Sequence, residues 1–304
     1  MTSDRAGRPI PASPSVGVWV GSRVWRGNEQ ALIEAVPAVD DLGYSMLWLG
    51  GAPGDLELAE ALLAATNRII IATGIVNIWR SSAKEVTESY HRLRRAYSGR
   101  LLLGFGVGHA TAAETGAARY VQPYSAMIRF LDELDSLADP IPESVRVLAA
   151  LGPKFLRLSA ARASGAHPYL VTPRHTKEAR EAIGHGAFLA PELRVALEED
   201  PGRARQLARH GVARNLAMPN YQRSLVRQGY QPADYAQGAS DALIDDLVAW
   251  GDPAQVVQHI AAHHAAGADH VAVQLLTGDD RIPLLQWQTL AAALQVADLS
   301  EGMK

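Results

Sequence analysis

The sequence predicts an α/β fold, a (β/α)8 TIM barrel with an insertion before the last strand. Three observations lead there. Short apolar runs, about eight of them, recur along the chain, and each is followed by a helical pattern. The runs are apolar throughout rather than alternating, which marks parallel strands covered by helices on their outer face. The length of 304 residues and a hydrophobic content of 48% suit one large barrel core.

The first run is V-G-V-W-V from Val16, and a helical pattern follows over residues 29–42. Next come M-L-W-L from Met46 with a helix over 56–65, and I-I-I-A-T-G-I-V from Ile69 with a helix over 83–97. The fourth run is L-L-L-G-F-G-V from Leu101, followed by a helix over 124–137. V-L-A-A-L from Val147 reaches Gly152-Pro153, where glycine permits an unusual backbone angle and proline suits a first helical turn. A helix therefore begins at Lys154 and runs through Ala163, until Ser164-Gly165 ends it. Strands follow at 167–171 and at A-F-L-A from Ala187, and the last is V-A-V-Q-L-L from Val271. Between about 192 and 250 the spacing breaks. A charged helical stretch and the turn-rich Met218-Pro219-Asn220 and Gly229-Tyr230-Gln231-Pro232 segments stand there, read as an insertion on the barrel rather than a second domain. The expected organisation is a loose leader over residues 1–15, rich in Pro, Ser and Arg, and one domain over 16–304.

Composition narrows the function. The net charge of -3, from Lys+Arg 29 and Asp+Glu 32, offers no general field for nucleic acid or an anionic membrane. Cys 0 removes disulfides, thiolate metal sites and a cysteine nucleophile. No apolar run approaches the roughly 20 residues that cross a bilayer, so a soluble cytoplasmic protein is expected. A Gly-x-Ser-x-Gly elbow does not occur, which disfavours a serine hydrolase. His259 and His263 have metal-ligand spacing with His264 beside them, yet residue 260 is Ile where a metalloprotease needs Glu, so no metal site is assigned. Asp40-Asp41 and the basic Arg92, Arg94 and Arg95 read as solvated faces.

The turn after the fifth run carries chemistry. A helix that starts just past the carboxyl end of a strand points its free amides and positive dipole end at the barrel mouth, and phosphate is the usual occupant. Gly152, Pro153, Lys154 and Phe155 are the residues of that turn; the alternative is an ordinary strand-helix-strand unit with no ligand. Gly104-Phe105-Gly106-Val107-Gly108 lacks the helix and acidic residue of a dinucleotide fingerprint. Its glycines, Gly106 among them, read instead as positions where a bulky side chain would obstruct a ligand over the mouth.

Four segments together resemble the bacterial luciferase-like family, in particular its coenzyme F420-dependent branch. They are A-T-G-I-V-N-I-W after strand three, L-G-F-G-V-G-H at strand four, A-A-L-G-P-K-F with G-A-H-P-Y-L-V-T-P, and W-G-D-P-A-Q-V-V with A-G-A-D-H-V-A-V-Q. The resemblance implies a cis peptide at Gly74-Ile75, with Ile75 beneath the central ring of a flavin or deazaflavin, and the cofactor phosphate at the Gly152 turn. It sets Thr172 and Pro173 beside the cofactor chain and Asn77 and Trp79 at the same mouth, where an amide suits the pyrimidine edge of the ring. The chain departs from many F420-dependent relatives after strand two, where Gly50-Gly51-Ala52-Pro53-Gly54 replaces an acidic residue and a histidine. His109, at the end of strand four where some relatives carry glutamate, is the candidate proton-transfer residue, with water, Tyr120 or Tyr124 as alternatives.

The implied function is an F420-dependent oxidoreductase that passes a hydride between the deazaflavin and a small organic substrate. An FMN-dependent monooxygenase on the same scaffold is the alternative, and a non-catalytic flavin-binding relative is a third reading. The resemblance also implies a homodimer, for which the small-residue surface of residues 56–65 is the candidate contact.

Overall fold

The structure, a computed structural model, describes residues 10–11, 15–109 and 121–301. Eleven strands form one sheet. They are β1 (Ser15–Val20), β2 (Met46–Leu49), β3 (Ile70–Thr73), β4 (Val76–Asn77), β5 (Leu101–Gly106) and β6 (Arg146–Leu148). β7 (Gly165–Ala166), β8 (Phe188–Leu189), β9 (Glu192–Ala196), β10 (Val248–Trp250) and β11 (His270–Leu275) complete it. All strand pairings among the described residues are parallel.

The sheet closes on itself. β8 and β9 are one strand interrupted at Pro191, whose missing N–H cannot continue a ladder. On one side Phe188 and Ala190 donate to the carbonyls of Ser164 and Ala166; on the other Asp269 donates to Leu189 and Ala272 to Pro191. The ring order is therefore β1, β2, β3, β5, β6, β7, β8–β9, β11 and back to β1. β6 stands opposite β1 in this ring, and β9 stands opposite β3.

The expected helices over 29–42, 56–65, 83–97 and 124–137 are present as Glu29–Asp41, Glu57–Ala64, Ala83–Ala96 and Pro123–Ser136. Ser82 starts the third of these with a reciprocal cap: its hydroxyl accepts from the Glu85 amide while the Glu85 carboxylate accepts from the Ser82 amide. Four local expectations are corrected. The helix after β6 begins at Pro153, one residue early, with Gly152 as its cap, and ends at Arg162. Residues 167–171 form no strand. The pairing lies at Gly165–Ala166, where a Cβ on Gly165 would stand 1.8 Å from the Phe188 carbonyl oxygen, and Leu170 has φ 54. The segment read as an insertion begins with barrel strand β9, so the added body comprises the helices Pro201–Leu216, Pro219–Arg227, Pro232–Tyr235 and Asp241–Leu247 and the short β10. Ser15, placed in the leader, opens β1.

Asp40 is also not a solvated residue. It is 5% exposed, and its carboxylate accepts from the amides of Asn67, Arg68 and Ile69, tying one helix to the turn before β3. Burial alone would raise its pKa, but these three bonds hold the carboxyl below its usual range.

Inside the barrel Trp19, Met46, Trp48, Leu102, Val147 and Phe188 form one apolar layer, while a larger core lies between the sheet and the outer helices. The inner layer contains buried histidines. Trp48 donates to His270 Nε2 at 3.0 Å, which leaves His270 Nδ1 to donate to Ser15 Oγ at 2.9 Å. A separate cluster, with Leu170, Val212, Tyr221 and Ile244, seats the added helices on the mouth.

Candidate active site

The carboxyl ends of the strands open into a cavity of about 940 Å³, a size that suits a small molecule or cofactor at the usual functional end of a barrel. Its wall is assembled from nearly every strand end. Trp19 and Gly21 come from β1, Gly50 to Gly54 from β2, Gly74, Ile75 and Asn77 from β3 and β4, and Val107 to His109 from β5. Ala149 to Gly152 follow β6, His167 and Tyr169 follow β7, Arg194 stands in β9 and Gln274 in β11.

The Gly74–Ile75 peptide bond is cis, the geometry the resemblance implies. Thr73 fixes the end of β3, because its hydroxyl donates to the Gly104 carbonyl at 3.0 Å and accepts from the Gly104 amide at 2.8 Å. The neighbouring glycines have a structural cause that differs from the one expected. A Cβ on Gly104 would meet the Thr73 carbonyl at 2.1 Å, and one on Gly106 would meet Ile75 Cγ1 at 2.8 Å and Ala149 Cβ at 3.1 Å. Gly104 thus permits strand contact and Gly106 seats Ile75. Neither faces the cavity; Gly108, with φ 57, does.

Trp19 and His167 form the floor beneath Gly74. A side chain at Gly74 would approach Trp19 Nε1 to 2.6 Å and His167 Nε2 to 3.4 Å, so glycine is required there. Gly50 likewise makes way for the Trp19 ring. His167 stacks on Trp48 with centroids 4.0 Å apart, and its Nδ1–H donates to the Ala190 carbonyl at 2.6 Å. Burial lowers its pKa to about 4, against the opposing effect of that bond, so the imidazole is neutral and Nε2 carries the lone pair.

Across the ring from Ile75 stands a polar wall. Arg194 donates from Nη2 to the Tyr169 hydroxyl at 2.9 Å and to Asn215 Oδ1 at 2.8 Å, and Tyr169 in turn donates to Gln274 Oε1 at 2.7 Å. The Tyr169 ring lies 5.0 Å from that of Trp19. Glu192 is wholly buried beneath this wall, and its Oε2 accepts from the Leu170 amide at 2.8 Å. Burial pushes Glu192 up to about 7 even though Arg194 and that amide act the other way. Burial opposes the Arg194 charge, but the oxygens of Tyr169 and Glu192 hold the guanidinium above its usual range.

At the rim next to this wall, after β6, the helix Pro153–Arg162 starts at the cavity edge. Leu151 O accepts from His175 Nε2 at 2.9 Å and from Arg227 Nη2 at 3.0 Å, which fixes the turn and brings a guanidinium beside Gly152. Gly152 and Phe155 line the cavity, whereas the Pro153 and Lys154 side chains are exposed and turn away. Thr172 does not reach the cavity either. It is 3% exposed, caps the helix Pro173–Ile183 by accepting from the His175 amide, and donates to Gln228 Oε1 at 2.6 Å. Its hydroxyl is committed to holding the added helices.

Of the remaining expected residues, His109 lines the cavity with its ring 5.6 Å from that of Tyr221. Asn77 also lines it, with Oδ1 accepting from the Trp79 amide at 2.9 Å, while the Trp79 indole donates to the Val107 carbonyl outside it. Tyr124 packs edge-on against Phe155, and Tyr120 lies outside the described residues. His263 is buried against the Thr176 hydroxyl, and among the described residues no group of three His, Asp or Glu is placed to hold a metal ion. Reading the sequence alone missed Trp19, His167, Tyr169, Arg194 and Arg227. The signal for Arg194 was a charged pair, Glu192 and Arg194, set in an otherwise apolar run.

The cavity wall carries seven arginines (Arg23, Arg26, Arg80, Arg194, Arg214, Arg223, Arg227) against three carboxylates (Glu85, Asp279, Asp280), although the chain as a whole is at -3. Such a wall attracts anions into a protein that otherwise repels them.

The fold and its cavity define a parallel α/β barrel with an arginine-rich mouth at the carboxyl ends of its strands. The luciferase-like monooxygenase family model matches residues 15–270, and the chain belongs to that family. Solved structures agree in fold. An F420-dependent secondary alcohol dehydrogenase in complex with an F420-acetone adduct superposes with a TM-score of 0.66 at 14% identity, covering 92% of this chain and 98% of that one. The coenzyme F420 dependent tetrahydromethanopterin reductase from Methanopyrus kandleri gives 0.69 at 15%, covering 92% and 97%. The oxygenating constituent of 3,6-diketocamphane monooxygenase from Pseudomonas putida, a type II Baeyer-Villiger monooxygenase in complex with FMN, gives 0.62 at 16%, covering 92% and 96%. No curated protein sequence matches the chain. Family and neighbours are oxidoreductases and monooxygenases, and this chain is an enzyme of that kind. No helix among the described residues is long and apolar enough to cross a membrane.

Proposed function

We propose that this enzyme is an F420-dependent oxidoreductase that transfers a hydride between the deazaflavin and a small organic substrate. The observation that carries the reading is the pairing, in one cavity, of an apolar ledge made by Ile75 seated on Gly106 with an anion-binding turn at Gly152 flanked by Arg227. The residues fit a ring-and-phosphate cofactor. The ledge has room for a flat ring only because Gly106 has no side chain, and the free amides of the helix start suit a phosphate.

In this reading the amides of Gly152, Lys154 and Phe155 hold the phosphate, with Arg227 adding charge. Ile75 backs the ring and the Asn77 amide faces its polar edge. When bound, the cofactor supplies the hydride chemistry. His109 then exchanges the accompanying proton with the substrate, since it lies on the wall at the end of β5. The missing histidine after β2 leaves His109 as the residue of the expected set suited to this role.

A second reading, an FMN-dependent monooxygenase, is favoured by one observation: a structural neighbour of this fold is in complex with FMN. Titration with F420 and with FMN, followed by a hydride-transfer assay under anaerobic conditions, separates the two. Pairing of two copies through the helix Glu57–Ala64 belongs to the same reading, and light scattering at micromolar concentration tests it.

A further inference from the structure

Two nitrogen atoms at the floor of the cavity are buried with no hydrogen-bond partner among the described residues: Trp19 Nε1 and His167 Nε2. Both residues line the cavity. A buried polar atom left unpaired is costly, and folded proteins keep few of them without a reason. The two also face one place. A Cβ on Gly74 would stand 2.6 Å from Trp19 Nε1 and 3.4 Å from His167 Nε2, so both nitrogens flank the small space that the missing side chain leaves.

Their chemistry is complementary. The indole N–H can only donate. His167 gives its Nδ1 proton to the Ala190 carbonyl, so Nε2 can only accept, and burial keeps the ring neutral. A donor and an acceptor on one spot suit an atom that does both, which is a hydroxyl oxygen. A carbonyl would satisfy Trp19 alone, and a methyl group would satisfy neither. Both nitrogens are also held in place. The His167 ring is stacked on Trp48 and tied to Ala190, while Trp19 lies against Gly50, where a Cβ would come within 2.2 Å of the indole.

The spot lies beside Gly74, one residue before the ledge at Ile75 and three before Asn77. A flat three-ring system that rests on Ile75 and turns its pyrimidine edge to Asn77 has its opposite end ring toward Gly74. That end is where the two candidate cofactors differ. The deazaflavin of F420 carries a hydroxyl there, whereas FMN carries methyl groups. We propose that Trp19 and His167 form the seat of the end-ring hydroxyl of the deazaflavin, Trp19 donating to its oxygen and His167 accepting from its O–H, and that this pair selects F420 over FMN. The inference rests on the reading of this cavity as a ring-and-phosphate site.

The test is calorimetric titration of the whole protein with 8-hydroxy-5-deazariboflavin and with its 8-deoxy analogue, two probes that differ only in that hydroxyl, beside F420 itself. The hydroxyl probe is expected to bind at least about tenfold more tightly, because its analogue leaves two buried polar atoms unpaired. Trp19→Phe keeps a ring against Gly50 and His167→Phe keeps the stack on Trp48; each is expected to lose most of the preference. Arg227→Gln, at the phosphate turn, leaves it intact. Any general loosening of the fold weakens both probes alike, so the ratio of the two affinities reports the seat. Equal affinity in the wild type leaves the spot to water or a substrate hydroxyl and overturns the proposal. So does a preference that survives both substitutions, or one that disappears with Arg227→Gln instead. If F420 binds while the two probes bind equally, the seat fails and the cofactor reading stands; if F420 and both probes fail to bind, the cofactor reading fails and the seat with it.

Discussion

Gly106 lies directly beneath Ile75: a Cβ at residue 106 would come within 2.8 Å of Ile75 Cγ1 and 3.0 Å of Cδ1. The side chain that forms the apolar ledge of the cavity is thus seated by the absence of a side chain on the next strand. Gly106→Ala is expected to lift Ile75 into the space proposed for the cofactor ring. Overpacking of this kind costs about 1–3 kcal/mol. Spectroscopic titration should show cofactor affinity falling roughly tenfold or more, with far-UV circular dichroism unchanged. Wild-type affinity in a folded variant would remove Ile75 from the site.

Gly152 tests the other half. Its backbone is extended, and a Cβ there would meet only the Arg227 guanidinium, at 3.8 Å, so Gly152→Val is tolerated by the fold. It should nevertheless cover the free amides and push Arg227 aside. Cofactor affinity is expected to drop about tenfold, and Arg227→Gln to lower it less and to reduce its dependence on salt. Affinity that is unchanged in both variants contradicts an anion site at this turn.

The barrel was legible from the sequence wherever strands were long and apolar, as in β1, β2, β3, β5 and β11. It was illegible at β7 to β9. There the strand is split by Pro191 and carries Glu192 and Arg194, so its pattern reads as a charged insertion although tertiary burial makes it barrel wall. Of the residues that line the cavity, Gly74, Ile75 and Gly152 were legible as candidates through motif and helix-start chemistry. Thr172 misled because the same Thr-Pro pair that could flank a ligand is also a good helix cap. Arg227 and Tyr169 could not be found by local pattern, since only the folded chain brings them to the mouth.

His109 is expected to act in the chemistry and not in binding. His109→Ala should bind cofactor as tightly as wild type while turnover falls by about 10² to 10⁴, and the pH profile should lose a limb near neutrality. Wild-type turnover in this variant assigns the proton to water or to Tyr124.

The buried histidines predict acid sensitivity. Burial lowers His167 to about 4, lowers His263 to about 3 with help from neighbouring histidines, and holds His270 well below its usual range. Below about pH 6.5 the unfolded chain binds protons that the folded one refuses, so stability present above that pH is lost as pH falls, down to about 4 for His167 and about 3 for His263. Each contributes up to about 1.4 kcal/mol per pH unit. Glu192 runs the other way, because its folded pKa of about 7 lies above the unfolded value and its contribution declines as pH rises through that range. Denaturant melts between pH 4 and pH 8 should show a steep acid limb, shallower in His263→Gln. An identical slope in that variant would show that His263 is charged in the folded state.

The central claim is that this cavity is a deazaflavin site, and the most direct measurement is absorbance and fluorescence titration of the purified protein with F420 and, separately, with FMN. The account predicts saturable binding of one F420 per chain, tighter than FMN and weakened by Gly152→Val. Binding of FMN alone would support the monooxygenase reading instead, and binding of neither would contradict the account.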